Sequence, residues 1–246
     1  MVFKGNVFRL ACAAFAALSL AAFLPASAAA ASPLPSGAVG SDISWPQCGG
    51  DYPTDPYWFG IIGVTGGHPF SANNCFGSEY AWAQATGRPQ VYINLDYGLR
   101  ASGPLDCLAE DTGCQAYNYG YQSAAWAYDY ASQQSGGATQ KQNVWWLDVE
   151  TGNYWSDDSV QNAYVIQGAL DFLQRKVNKT AGVYSTSYMW GVLAGDFSPP
   201  GTPNWVAGAA GLDNAGMCQA AIWPGAEVWA VQYLNLYIDL DQNLAC

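Results

Sequence analysis

Three observations predict an α/β fold, a TIM-type (β/α) barrel with eight strands and reduced helices in its C-terminal part. Eight apolar runs have strand length, amphipathic stretches separate the early ones, and connections after the sixth are poor in helix signals. The runs are 39–43, 58–64, 90–95, 144–149, 181–184, 204–207, 227–232 and 237–240. Near-continuous apolar runs suit parallel strands buried on both faces. The stretches 79–86, 117–134, 158–176 and 187–194 read as helices. Asp157 or Ser156 is placed to cap the third. Its end carries Arg175, Lys176 and Lys179, as the helix dipole prefers. Without the leading segment treated below, about 218 residues remain, at the small end for this architecture, so some helices should be missing.

The leading segment reads as a targeting signal. Lys4 and Arg9 form a positive start, 10–24 is apolar, and Ala26-Ser27-Ala28 is an A-x-A cleavage site. The apolar stretch is too short to span a bilayer as a helix. Residues 1–31 are therefore assigned to the signal peptide and adjacent processed residues, 32–38 to a linker, and 39–246 to one barrel domain. The expected product is a secreted, extracellular monomer with no stable membrane insertion. Six cysteines remain after the signal: Cys48, Cys75, Cys107, Cys114, Cys218 and Cys246. An even number in a secreted chain suggests disulfides. Six cysteines allow 15 pairings; Cys107 and Cys114 are close enough in sequence to staple one loop, and the pairing taken for the rest is Cys48–Cys75 and Cys218–Cys246. No CxxC pair supports metal ligation.

Composition narrows the chemistry. Net charge is -11 and the pI is about 4.1. Removing the leading segment takes the charge to about -13. Such a chain has nothing to displace phosphate counterions, so no nucleic-acid partner is expected. The single His, His68, excludes a poly-His metal site; it reads as a loop residue without a catalytic role. Gly66-Gly67 lacks the Lys and spacing of a phosphate loop. With 11 Trp and 16 Tyr, the available chemistry is that of carboxylates and aromatic rings. No cofactor and no metal are expected.

Active sites of such barrels lie at the C-terminal ends of the strands. The polar residues there are Asp42 (first strand), Asn94 and Asp96 (third), Asp148 and Glu150 (fourth), Gln232 (seventh), and Asp239 and Asp241 (eighth). Asp148 and Glu150 are two apart on one strand, so both point to one face. Two close carboxylates repel, and one should hold its proton. That is the pairing a general acid beside an anionic stabiliser requires, and it suits glycoside cleavage. Trp45, Tyr92, Tyr184, Trp205, Trp229 and Tyr233 lie on or just beyond the strands, where rings can take the flat faces of sugars. Core packing should claim at least half of them, and one of Trp145 and Trp146.

These residues form an ordered series: Gly40-Ser41-Asp42-Ile43-Ser44-Trp45, Leu147-Asp148-Val149-Glu150, Gly182-Val183-Tyr184-Ser185, Asn204-Trp205-Val206-Ala207, Val231-Gln232-Tyr233 and Ile238-Asp239-Leu240. The series resembles the family 25 glycoside hydrolases, the Chalaropsis-type lysozymes, and most closely their secreted bacterial "glycoside hydrolase-like" relatives of unknown function. The resemblance implies a β-1,4-N-acetylmuramidase acting on peptidoglycan with retention. It makes Glu150 the general acid, and Asp148 the group that stabilises charge or positions the substrate N-acetyl group. Asp42 and Asp239 complete the carboxylate ring; Trp45, Tyr92, Asn94, Asp96, Tyr184, Trp205, Gln232 and Tyr233 are the substrate-binding candidates. Val231 stands where the family usually has Trp, and Asp241 where it usually has Asn. The strand-four pattern of family 18 chitinases would need acids at Asn143 and Trp146, which excludes that sibling. The partner expected is a polysaccharide. The second reading is a non-catalytic glycan-binding or wall-associated protein on the same barrel.

Overall fold

The computed structural model describes residues 31–54, 57–209, 214–235 and 240–246. Eight strands close into one barrel in chain order: β1 Val39–Ile43, β2 Phe59–Gly63, β3 Pro89–Asn94, β4 Val144–Asp148, β5 Thr180–Ser185, β6 Asn204–Ala209, β7 Val228–Asn235 and β8 Leu240–Ala245. The first seven run parallel to one another, and β8 runs antiparallel to both β7 and β1. Seven of the eight apolar runs thus mark strands to within a few residues. The eighth is a correction. The expected run 237–240 gives way to Leu240–Ala245, and the strand is reversed. Only residues 236–239 join β7 to β8, too few for the crossover that a parallel return needs. Asp239 lies outside the described residues.

Among the described residues four α-helices cover the outside: α1 Phe76–Gln84, α2 Thr112–Gln134, α3 Ser159–Asp171 and α4 Ser187–Leu193. The third predicted helix continues past α3 as a π-turn, Phe172–Lys176. Its cap is Asp158, whose carboxylate accepts from the Val160 N–H, rather than Asp157 or Ser156. After β6 the described residues before β7 hold a 3-10 segment, Asn214–Gln219, and no α-helix. The 32–38 segment packs on the base, with Leu34 and Ala38 buried and the Gly37 N–H donating to the Ala245 carbonyl at 2.8 Å.

The core has two layers, set by strand alternation. On β4, Trp145 points outward to Tyr128 of α2, with ring centroids 5.4 Å apart. Trp146 points inward, donates to Gln90 Oε1 at 2.7 Å, and meets Trp205 and Trp229 at 5.8 and 6.3 Å. These inward rings fill the barrel and form the floor below its mouth. Outside, α2 and α3 meet through glycines. A Cβ on Gly168 would lie 2.0 Å from the Tyr117 carbonyl oxygen, and one on Gly120 would lie 1.8 Å from that of Val165. Gly168→Ala gains about 1 kcal/mol of helix propensity, but the obstacle is backbone, so separating the helices outweighs it. We expect a net loss of about 2 kcal/mol, read as a lower urea midpoint; an unchanged or raised midpoint would refute this contact.

All three expected disulfides are present: Cys48–Cys75, Cys107–Cys114 and Cys218–Cys246. The last spans 28 residues and ties the end of β8 to the segment before β7. By loop-closure entropy, Cys218→Ser with Cys246→Ser should cost about 3.6 kcal/mol, checked by thermal unfolding of both forms.

Candidate active site

Every strand except β2 offers the mouth an inward residue. β1 gives Asp42, β3 Tyr92 and Asn94, β4 Asp148, β5 Tyr184, β6 Trp205 and β7 Gln232. Glu150 follows β4 by one further alternation. Because β8 is reversed, its beginning rather than its end faces the mouth, and there it brings Asp241. Asp42, Asp148, Glu150 and Asp241 line one cleft of about 180 Å³ with Tyr92, Tyr184, Trp205 and Gln232.

Asp42 is 9% exposed and anchored by two amides. Asn243 Nδ2 donates to Oδ1 at 2.6 Å and Gln232 Nε2 to Oδ2 at 3.0 Å. Both amides are oriented in turn. The Trp205 indole donates to Asn243 Oδ1 at 2.7 Å, and the Tyr184 hydroxyl to Gln232 Oε1 at 2.6 Å. The Tyr184 and Trp205 rings are 4.3 Å apart. The two rings therefore fix the donors that fix the carboxylate. Burial pushes the Asp42 carboxyl up to about 7, helped by the charge of Asp241 and opposed by the two amide hydrogen bonds.

Asp148 is 4% exposed. Its Oδ2 accepts from Asn94 Nδ2. The Asn94 amide is oriented by the Thr65 hydroxyl, which donates to Asn94 Oδ1 at 2.6 Å and accepts from the Asn94 N–H at 3.1 Å. Asp148 Oδ1 is buried with no donor in reach. Burial, and then the neighbouring charge of Glu150, hold Asp148 well above the carboxylate range. Burial also raises the half-buried Glu150, although a hydrogen bond from Asp148 opposes the rise. Both groups are acceptors when ionised, so the pair is satisfied when it holds a proton, and it titrates as a unit. Asp148 is the buried member and Glu150 the one that reaches the cleft.

Three expected site residues lie elsewhere. Asp96, past the end of β3, turns to the Tyr119 hydroxyl of α2 at 2.6 Å, within electrostatic reach of His68. Tyr233 alternates away from the cleft, is buried, and bonds Gln242 Oε1 at 3.1 Å. Trp45 stands at the rim, 52% exposed, in the 3-10 turn Trp45–Gln47. Trp229 belongs to the floor. Sequence reading missed Asn243 and Thr65 as positioning groups. The signal for Asn243 was its two-residue spacing from Asp241, once a strand is allowed there.

The class that fold and mouth define is a parallel (β/α) barrel with a reversed last strand and a carboxylate-lined cleft. The bacterial lysozyme of Streptomyces coelicolor has this fold, with a TM-score of 0.52 and 18% identity over 85% of this chain and 92% of that one. So do a muramidase from Trichobolus zukalii (0.57, 17%, 85% and 93%) and a family GH25 lysozyme from Aspergillus fumigatus (0.54, 16%, 85% and 93%). No protein-family model and no curated protein matches the sequence. At these identities the likeness is one of fold.

Proposed function

We propose that the chain is a secreted glycoside hydrolase of the N-acetylmuramidase kind, cleaving peptidoglycan or a related β-linked glycan. The observation that carries this reading is the Asp148–Glu150 pair: one member buried and held by Asn94, the other reaching the cleft, both raised by burial and close enough to share a hydrogen bond. Glu150 would protonate the glycosidic oxygen as the bond to the sugar breaks. Asp148 would position the substrate N-acetyl group, or itself support the developing positive charge. Tyr92, Tyr184 and Trp205 would take the sugar face. Asp42 would contribute through the charge it holds at the same mouth; Asp239 keeps its place in the proposed carboxylate ring from the resemblance alone.

The names lysozyme and muramidase among proteins of the same fold support this reading. Export is supported by three disulfides and by the signal-like segment 1–31. No helix among the described residues is long and apolar enough to cross a membrane. The test is a digest of purified cell walls with product analysis. New reducing ends are expected, and none from any wall or chitin-type substrate would refute catalysis. The second reading, a glycan-binding protein without turnover, is favoured by Asp241, which adds a charge to the cleft at a position that is usually Asn in the family resembled; binding without products would establish it.

A further inference from the structure

A cavity of about 210 Å³ opens at the end of the barrel opposite the cleft, where β3 and β4 begin. Pro33 and Leu34 of the base segment form one wall, and Arg88, Gln90, Lys141 and Gln142 supply its polar groups. At about 30 Å³ per water it has room for about seven waters, or for a small ion on a short carrier. Its charge is one-sided. Arg88 and Lys141 are exposed, and none of the described residues lining the cavity is Asp or Glu. Neither cation has a carboxylate partner among the described residues. Lys176 and Lys179 precede β5, the neighbour of β4, and Lys179 Nζ donates to the Gln140 carbonyl at 2.5 Å. After the leading segment, every basic residue except Arg100 lies in the connections into β3, β4 and β5. A chain with a net charge of about -13 without that segment thus keeps its cations together.

A second observation concerns the floor of this cavity. Gln90 is 3% exposed, and its Oε1 accepts from the Trp146 indole at 2.7 Å. That bond orients the amide. Its Nε2 has no partner among the described residues, and it is not one of the buried polar atoms sealed from solvent, so it faces the cavity that Gln90 lines. Gln142 is also buried; its Nε2 donates to the Val144 carbonyl at 3.0 Å, which leaves Oε1 as an acceptor. The Arg88 guanidinium lies over the exposed Trp58 ring, 5.6 Å from its centroid, a contact that uses none of its N–H donors. An oriented buried N–H together with two unpaired cations is the donor set that an anionic oxygen recruits, and an acceptor beside them suits a hydroxyl.

We infer that this cavity is a binding site for an anionic group, a phosphate or a carboxylate, carried on a short hydroxylated chain. Gln90 Nε2, the Arg88 guanidinium and the Lys141 ammonium donate to the anionic oxygens, and Gln142 Oε1 accepts from a hydroxyl of the carrier. The site is separate from the carboxylate cleft and does not depend on the hydrolase reading. The acidic mouth repels such a group and the base attracts it, so the two ends of one barrel select opposite charges. For a chain this acidic, a local cation site is what allows it to associate with an anionic partner at all.

The experiment reads the floor of the cavity directly. Proton–nitrogen NMR spectra of the isotope-labelled protein, at neutral pH and low salt, would follow the Trp146 indole and the Gln90 side-chain amide. The titrants are glycerol 3-phosphate, glycerate and, as the uncharged control, glycerol. Saturable shifts of both signals are expected with an anion and not with glycerol. Saturation by glycerol 3-phosphate alone identifies a phosphate ligand, and by glycerate alone a carboxylate; either supports the inference. Arg88→Gln with Lys141→Gln should weaken binding at least tenfold. Both side chains are exposed, so the fold should survive, and an unchanged thermal midpoint would show it. If the double variant is unstable, Lys141→Gln alone should still weaken binding several-fold. No saturable shift with either anion overturns the inference. So do shifts that glycerol reproduces, or an affinity that the substitutions leave unchanged. Because the signal is binding at the base, a protein without hydrolase activity would still give it, and a hydrolase that lacks it would refute this inference alone.

Discussion

Replacing Glu150 with Gln is expected to lower the release of reducing ends by about a thousandfold while leaving glycan affinity within a few-fold of wild type. The amide keeps the shape of the side chain and its place one alternation beyond Asp148. It removes the only half-buried carboxyl of the pair, and Gln cannot deliver a proton. Asp148 cannot take over, because it is buried and committed to Asn94. The pH profile sharpens the test. A pair that shares a proton should give a bell-shaped rate, with one limb set by loss of that proton. A Glu150→Gln protein that keeps a tenth or more of the wild-type rate would assign the acid elsewhere.

The second large effect is on stability. Asp42 is held at about 7 against an ordinary value of 3.8, mainly by burial. Between those two values the folded chain keeps a proton that the unfolded chain has lost, so protons favour the fold. Stability from this group is full at about pH 4 and is lost as pH rises to about 7. The upward shift corresponds to about 4 kcal/mol as an order of magnitude, and Asp148 acts in the same direction. Urea unfolding should therefore give a more stable protein at pH 5 than at pH 8. Equal stability, or more at pH 8, would contradict the burial of Asp42. Asp42→Asn should remove this site's share of the slope while lowering the baseline, since its new NH₂ would meet one of the two donors that now serve the carboxylate.

The parts of the fold that were legible in the sequence are those whose burial is apolar. Runs such as Phe59–Gly63 and Val144–Asp148 are hydrophobic on both faces because helices cover one and the barrel interior the other. β8 gave no such signal. Its inward residues Asp241 and Asn243 serve the mouth, and Gln242 is taken up by Tyr233, Asn235 and Tyr57, so its polarity reads as a loop. The cleft members Asp42, Asp148, Glu150 and Gln232 were legible because an acid or amide ending an apolar strand is costly without a purpose. Thr65 was not, because it acts through Asn94 across 29 residues of sequence. Asp96 and Tyr233 misled because nearness to a strand end does not fix direction: one turned to α2, the other to the wrong side of the pleat.

The reversal of β8 has a practical outcome for handling the molecule. Residues 37 and 38 and residue 245 are joined by backbone hydrogen bonds at the base of the barrel, and β8 descends to that end. A label, bead or carrier fused at either of these two points would leave from the side opposite the cleft. Immobilised through one of them, the protein would turn its mouth toward solution, and a long insoluble polymer could enter it without meeting the support.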